Sequence, residues 1–301
     1  MYQRALQGYE KAHGLEHTST LDTVNNLGVL YVDQDKLDEA EKMYRRALQG
    51  KEKMLGPEHT STLSTVDNLG ILYTTQKKLV EAEGMCRRAL QGKEKKLGLG
   101  HVSTLSAAHN LANVLSDQDK LVEAEQLYQR ALEGKKKTMG PENTSTLRTV
   151  QSLAVLYSRQ GKLVKAEEMF RHAQQGYEKT LGPDHALTLN IVNNLGLLYA
   201  NQGKLAEAEE MYLRALEGKV KTLGEDHTST LVTINNLGGL YYDQGKLVEA
   251  ETMCLRAIQG YGKVFGPKHP STLNAVNNLR LLYANQGKLA QAEMLSTLAT
   301  V

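Results

Sequence analysis

The chain has 301 residues, with 36 lysines and arginines against 34 aspartates and glutamates. This balance excludes the strong positive charge typical of nucleic-acid-binding domains, so we expect no nucleic-acid partner. No apolar run approaches the roughly 20 residues that a membrane-spanning helix needs, and no membrane partner is expected either. Only 2 cysteines are present, which argues against a disulfide framework. The expectation is a cytoplasmic protein.

One motif returns at a fixed interval of 42 residues along the whole chain. Residues 55–63 read LGPEHTSTL, and close variants follow at 181–189 and 223–231. The slot of the motif's histidine is filled in turn by His17, His59, His101, Asn143, His185, His227 and His269. A fixed period in the range of 20–50 residues indicates a solenoid built from stacked repeats.

Each repeat is predicted to consist of two helices joined by a short turn. Leu21, Val24 and Leu27 recur at the 3–4 spacing of an amphipathic helix. A second apolar face begins at Leu37, and Gly56 ends that helix, since glycine tolerates the backbone of a helix end. No segment alternates with the two-residue period of a strand. The sequence therefore predicts an all-α fold.

We predict a single repeat array over residues 1–301. Residues 1–14 read as a second helix without its first, and residues 267–301 as an incomplete last repeat. The six full repeats are predicted at 15–56, 57–98, 99–140, 141–182, 183–224 and 225–266. Neither end reads as a polar capping helix. The array is thus expected either to belong to a larger protein or to self-associate end to end through its uncapped terminal helices.

Small and large residues at fixed places resemble the tetratricopeptide pattern. Leu27 and Gly28 are followed by Tyr31 in the first helix, and the second helix carries Tyr44. Residues 192–231 resemble the elongated repeats of kinesin light chains and their fungal relatives. The resemblance implies an α-solenoid, a right-handed superhelix of stacked antiparallel helix pairs. It also implies that the first helices line a concave groove that binds a partner.

The recurring histidines are interpreted as loop residues that pin each second helix to the next first helix. Neighbouring helices pack about 8–10 Å apart, whereas all ligands of one zinc ion lie within about 2.3 Å of it. Equivalent histidines therefore cannot share a metal ion. No phosphate-binding loop, nucleophile motif or zinc signature occurs. We expect no catalytic, cofactor-binding or metal-binding residues, and no enzyme activity.

Residues that face the groove are predicted on the first helices, opposite their apolar side. One series of slots holds Asn25, Asp67, His109, Gln151, Asn193, Asn235 and Asn277. Further asparagines on the same face are Asn190, Asn201, Asn274 and Asn285. Amide side chains carry both donors and acceptors, which suits an extended peptide backbone. The resemblance to kinesin light chains implies that such asparagines hold a cargo peptide.

A second asparagine series lies at the edge of the buried face, and two interpretations stay open. The side chains either reach the groove or bond the adjacent helix or loop. The series consists of Asn26, Asn68, Asn110, Asn194, Asn236 and Asn278. Separately, Arg148 and Arg159 are predicted to form a lone basic spot in the groove.

A glycine also recurs inside every second helix, at Gly8, Gly50, Gly92, Gly134, Gly176, Gly218 and Gly260. A glycine in a helix interior costs about 1 kcal/mol relative to alanine. We expect that it permits close approach of a neighbouring helix; the alternative is simple inheritance through repeat duplication.

The expected function is non-enzymatic binding of a protein or extended peptide in the groove, as a kinesin light chain-like adaptor or scaffold. The alternative is a sensor or regulatory segment of a larger signalling protein, such as a nucleotide-binding switch ATPase. Flanking sequence would discriminate between them, because a phosphate-binding loop upstream favours the second function and a heptad coiled coil favours the first.

Overall fold

Fifteen helices joined by short turns make up the described chain. The computed structural model describes the backbone of residues 2–300 and the side chains of residues 3–295, and no strand occurs among them. The helices are α1 Tyr2–His13, α2 Thr18–Asp33, α3 Leu37–Leu55, α4 Thr60–Thr75, α5 Leu79–Leu97, α6 Val102–Asp117, α7 Leu121–Met139, α8 Thr144–Arg159, α9 Leu163–Leu181, α10 Ala186–Asn201, α11 Leu205–Leu223, α12 Thr228–Asp243, α13 Leu247–Phe265, α14 Pro270–Asn285 and α15 Leu289–Thr300.

From α2 to α14, first helices of 16 residues alternate with second helices of 19 residues, while α1 and α15 have 12 residues each. The chain divides into two compact units, residues 1–156 and residues 157–301. Within each unit, a first helix packs on the second helix that follows it, as α4 does on α5 and α10 on α11. First helices of consecutive repeats also touch, as α4 and α6 do. These contacts confirm the predicted all-α repeat solenoid.

The recurring histidine is the N-cap of each first helix. The backbone of His59 is extended, and its Nδ1 accepts a hydrogen bond from the Ser61 amide at 3.2 Å. The amides at a helix start have no partner inside the helix, so a capping side chain stabilises it. Asn143 makes the equivalent bond to the Ser145 amide at 2.9 Å, which explains why it can fill the histidine slot. The other caps are His17, His101, His185, His227 and His269.

A threonine three residues after the histidine joins the first helix to the preceding second helix. The Thr62 hydroxyl donates to the Gly56 carbonyl at 2.9 Å. Gly56 ends α3 with φ of 90°, a left-handed backbone that favours glycine. The same bond is made by Thr20, Thr146, Thr188, Thr230 and Thr272. The link predicted for the histidine is therefore made by the threonine.

The glycines inside the second helices admit a leucine from the first helix of the same repeat. A Cβ on Gly92 would lie 2.6 Å from Cδ2 of Leu63, which is fully buried. The same overlap would arise for the pairs Gly50 and Leu21, Gly134 and Leu105, Gly218 and Leu189, and Gly260 and Leu231. The expected close approach is confirmed at these five positions. Gly8 differs, because nothing lies within 4 Å of its Cβ position.

Carboxylates on the second helices bridge consecutive repeats. Glu83 accepts hydrogen bonds from Arg87 in its own helix at 2.8 Å and from Lys120, which precedes the next second helix, at 2.7 Å. In the same way, Glu41 Oε2 lies 3.1 Å from the ammonium nitrogen of Lys78. The hydrogen bond from Lys120, supported by that from Arg87, lowers the pKa of Glu83 to about 2 despite its partial burial. The carboxylate is therefore ionised at neutral pH and holds the two repeats together.

Helix α5 offers an internal control for the role of the core glycine. Gly92→Ala should destabilise the chain by about 1–2 kcal/mol, because the added methyl meets Leu63 in a packed core. Gly84→Ala should gain up to about 1 kcal/mol, because Gly84 is exposed in the same helix with open space at its Cβ. Urea unfolding of the two variants measures both changes. A gain of equal size at Gly92 would contradict the close-packing account.

Candidate protein-interaction face

The candidate interaction face is the exposed side of the first helices: α2, α4, α6 and residues 144–156 of α8 in the first unit, and α10, α12 and α14 in the second. An apolar strip runs along it in each unit. In the first unit it contains Val29 and Ile71, and in the second unit Leu197 and Leu281, each more than 40% exposed. Such residues are available for contact with a partner.

The predicted groove residues fall into three classes of exposure. The exposed ones are Asn26, Arg148, Arg159, Asn201, Asn274, Asn277 and Asn285. The half-buried ones are Asn25, Asn68, Asn110, Gln151, Asn190, Asn194, Asn235, Asn236 and Asn278. The buried ones are Asp67, His109 and Asn193, with 4–6% of their surface exposed. The expectation that the whole first series lies open to a partner is wrong for these last three, because the neighbouring helices cover them.

The two predicted asparagine series are bonded to each other across consecutive first helices. Asn68 Nδ2 donates to Asn25 Oδ1 at 3.2 Å. The other rungs of this amide ladder are Asn110 to Asp67 at 3.2 Å, Asn236 to Asn193 at 3.3 Å and Asn278 to Asn235 at 3.0 Å. Of the two interpretations left open for the second series, the bond to an adjacent helix is thus the observed one at these four positions. The amide ladder holds neighbouring first helices in register.

A series of buried lysines, which was not predicted from the sequence, lies in the second helices. Lys51, Lys93, Lys135 and Lys219 each follow directly after a core glycine, and each is at most 3% exposed. Lysine usually keeps its ammonium group in water, so four buried lysines in equivalent slots are unusual. One sequence signal could have revealed them, because the same slot holds the buried aromatic residues Tyr177 and Tyr261 in other repeats.

Two of the buried lysines are neutralised by aspartates of the chain itself. Lys93 Nζ lies 2.8 Å from Asp67 Oδ2, and both side chains are buried. Lys51 Nζ lies 2.7 Å from the exposed carboxylate of Asp22 and donates to the Thr65 hydroxyl at 3.1 Å. Charges that lose their water need such partners, because an isolated buried ion is strongly destabilising. In these two repeats, the charge of the buried lysine is balanced by an aspartate of the same repeat.

The other two buried lysines contact no carboxylate within the described part of the chain. Lys219 Nζ donates to Thr233 Oγ1 at 2.9 Å and to the Ser229 carbonyl at 3.2 Å. Lys135 Nζ donates to the equivalent Thr149 at 3.0 Å. Burial lowers the pKa of Lys135 and of Lys219 to about 8. Both amines are therefore still largely protonated at neutral pH, without an anion to balance them.

Positive charge accumulates around Lys135 in the first unit. Arg148 is exposed, makes no ion pair among the residues that the structure describes, and adds to burial in lowering the pKa of Lys135. The buried His109 bonds Thr149 at 3.2 Å. Burial, reinforced by the nearby Lys135 and Arg148, lowers the pKa of His109 to about 3, so its ring is neutral. The result is a cationic site that pairs with no carboxylate within residues 3–295, whose side chains the structure describes.

The predicted grouping of Arg148 with Arg159 stays a prediction, since the first lies in one compact unit and the second in the other.

The described residues hold no group of three or more histidines, cysteines, aspartates or glutamates suited to a metal ion. Cys86 and Cys254 are free and buried, and burial raises the pKa of their thiols to about 12 and about 11. Thiols of that kind stay protonated and unreactive. Among the described helices, none has the length and apolar character needed to cross a membrane.

The model of the tetratricopeptide repeat family matches the chain in overlapping stretches, at residues 1–53, 22–95, 59–137, 103–179, 144–221, 187–252 and 229–300. The chain belongs to the tetratricopeptide repeat family. This fold typically serves as a non-enzymatic scaffold, and the tetratricopeptide chain accordingly has a general role in protein interaction.

Solved structures place the tetratricopeptide chain beside kinesin light chain-like proteins. A putative kinesin light chain from Podospora anserina, with nearly identical TPR-like repeats, is 26% identical over 66% of this chain and 94% of its own, with a TM-score of 0.57. BtubC (BKLC) from P. vanneervenii is 23% identical over 74% and 87%, with a TM-score of 0.59. These structures confirm the predicted resemblance, including its fungal member.

The fold also extends to a bacterial regulator, the apo quorum sensor NprR from B. thuringiensis. It is 16% identical over 99% of this chain and 91% of its own, with a TM-score of 0.62. A search of curated proteins finds no significant match.

Opposite effects are expected when paired and unpaired lysines are replaced. Lys93→Met should cost about 3 kcal/mol, because Asp67 is left buried without its cation. Lys219→Met removes an ammonium group that has no carboxylate partner in the described part of the chain, so it should be neutral or stabilising at pH 7. Urea unfolding of both variants measures the difference. Similar losses of stability in Lys93→Met and Lys219→Met would contradict the conclusion that Lys93 is charge-balanced by Asp67 and Lys219 is not charge-balanced.

The gain from Lys219→Met should also depend on pH. The pKa of Lys219 is about 8 in the folded chain and about 10.4 in an unfolded one. Between these values the unfolded chain binds more protons, so the stability of the wild type rises with pH. The advantage of Lys219→Met at pH 7 should therefore shrink as the pH rises from 8 towards 10. Gly84→Ala, which alters no titrating group, serves as the control. A pH-independent difference for Lys219→Met would show that the amine is not destabilised by burial.

Proposed function

We propose that the chain is a non-enzymatic cytoplasmic scaffold whose first helices bind an extended, acidic segment of a partner protein. The observation that carries the proposal is the cationic site of Lys135 and Arg148, which contacts no carboxylate among the residues that the structure describes. In the preceding repeat, the chain supplies its own aspartate, Asp67, to Lys93. An aspartate or glutamate of the partner would supply the charge that the Lys135 repeat lacks. Complementary charge of this kind favours specific and rapid association.

The role of Arg148 in this proposal follows from its exposure. Lys135 itself is fully covered, so a partner carboxylate would contact the exposed guanidinium of Arg148 directly. Arginine binds carboxylates through two parallel hydrogen bonds, which orients the partner as well as attracting it. Lys135 would act at short range through its charge, because the surrounding protein screens it less than water does.

In the second unit, exposed amides would bind the main chain of an extended segment. In the second unit, Asn201, Asn274 and Asn285 lie on the interaction face with their side chains exposed. An extended peptide presents one donor and one acceptor per residue, and each amide group can satisfy both kinds. The apolar strip that contains Leu197 and Leu281 would cover apolar side chains of the partner. Within the second unit, the amides and the apolar strip together suit an extended segment of mixed composition.

The test compares peptides that differ only in charge. Fluorescence anisotropy would measure the binding of 12-residue peptides that carry aspartate or glutamate at every second position. The comparison peptides have asparagine or glutamine at those positions. We expect the acidic peptides to bind at least about tenfold more tightly, a difference of about 1.4 kcal/mol. Arg148→Glu should abolish this preference. The control is Lys96→Glu, a charge reversal at an exposed residue of α5, which should leave the preference intact.

Equal affinity for acidic and amide peptides would contradict the proposal, as would acidic-peptide binding that Arg148→Glu leaves unchanged. If a well-folded chain bound no peptide at all, the result would favour the alternative function, in which the array works only within a larger signalling protein.

A further inference from the structure

An apolar cavity of about 190 Å³ lies in the second unit, between α12, α13 and α14. Its floor is formed by Ala250, Cys254 and Leu282, all of which are buried. Its mouth lies at Gly239 and Leu281, both of which are exposed. Since these two residues occupy the apolar-strip slot of their helices, the cavity opens on the candidate interaction face.

Two small residues coincide in this repeat and create the cavity. The slot of Gly239 is filled elsewhere by Val29, Ile71, Asn113, Val155, Leu197 and Leu281. The slot of Cys254 is filled elsewhere by Tyr44, Cys86, Tyr128, Phe170 and Tyr212. The repeat that contains Cys86 keeps an aliphatic side chain at Ile71. Only the repeat of Gly239 and Cys254, among these, loses both bulky side chains.

The sulfur of Cys254 also lies further from the facing glycine than the sulfur of its counterpart does. A Cβ on Gly238 would lie 3.4 Å from Cys254 Sγ, whereas a Cβ on Gly70 would lie 2.6 Å from Cys86 Sγ. The helices approach equally closely in both repeats, since the nearest methionine Cβ would lie 3.2 Å away at Gly238 and 3.3 Å away at Gly70. An unfilled apolar cavity is unfavourable, because its lining lacks contacts on one side.

We propose that this cavity, the Gly239 pocket, binds one leucine- to phenylalanine-sized apolar side chain of a partner segment on the second unit. The inference rests on the proposed function and adds a specificity pocket to it. Apolar side chains that fill a desolvated pocket are the usual anchors of a protein interface.

The rim of the Gly239 pocket favours a peptide over a free apolar molecule. Asn278 and Asn285 line it. Asn278 is held in place by its bond to Asn235 at 3.0 Å. Asn285 is exposed beside the mouth. Its amide can bond the main chain that carries the inserted side chain. A free hydrocarbon could not use that group.

The experiment scans one leucine along the acidic peptides used to test the proposed function. For each position, the affinity of the leucine peptide is compared with that of its alanine counterpart. We expect the wild type to favour leucine by at least about tenfold at one position. Gly239→Leu, which introduces the residue that Leu197 supplies in its own repeat, should remove that preference. Gly84→Leu is the matched control, because both glycines are exposed, helical and open at Cβ.

Each outcome separates this inference from the proposed function. If acidic peptides bind without any preference for leucine, the Gly239 pocket is not a side-chain site, although the charge-based function stands. A leucine preference that survives Gly239→Leu would equally overturn the pocket.

A second measurement tests indole alone by ligand-observed NMR. If no peptide binds but indole binds saturably to the wild type and not to Gly239→Leu, the occupant is a small apolar molecule and the peptide assignment is wrong.

Discussion

The contact between a first-helix leucine and a second-helix glycine sets how closely the two helices of each repeat can pack. Leu63 occupies the space where a side chain on Gly92 would stand, and four other repeats have the same arrangement. The next residue, Lys93, is buried as well, and its ammonium lies 2.8 Å from Asp67 of the same first helix. The core glycines and the buried lysines are therefore neighbours in one interface between the two helices of a repeat. The histidine caps and threonine links then fix where each first helix begins.

Burial of the lysines makes the repeats electrostatically different, although their sequences are similar. Where an aspartate is available, as for Lys51 and Lys93, the ammonium is neutralised within the chain. Where His109 or Asn193 stands in the slot of Asp67, the ammonium donates, among the described residues, to threonine and carbonyl oxygens alone. Neutral acceptors compensate a buried charge less well than a carboxylate does. Because the repeats differ in this way, the interaction face offers the acidic groups of a partner a defined position.

Much of the fold could be predicted from the sequence, because it depends on period and local chemistry. The spacing of His59 and its equivalents, the apolar faces and the core glycines all act within one or two helices. The exposure of Asp67 and Asn193 could not be derived in the same way, because it depends on how far the next first helix covers the face. The buried lysines were missed for a related reason, since lysine is read as a surface residue unless the approach of a neighbouring helix is known. The site therefore required three-dimensional distances that periodicity alone does not contain.

The most direct test of this account is an NMR titration of the side-chain amines of Lys135 and Lys219, in the free chain and with a bound acidic peptide. The account predicts a pKa of about 8 for both amines in the free chain. It also predicts that the pKa of Lys135 rises when the peptide binds, because a nearby carboxylate favours the charged amine. Values near the ordinary 10.4 in the free chain, or a Lys135 amine that does not respond to a bound acidic peptide, would contradict it.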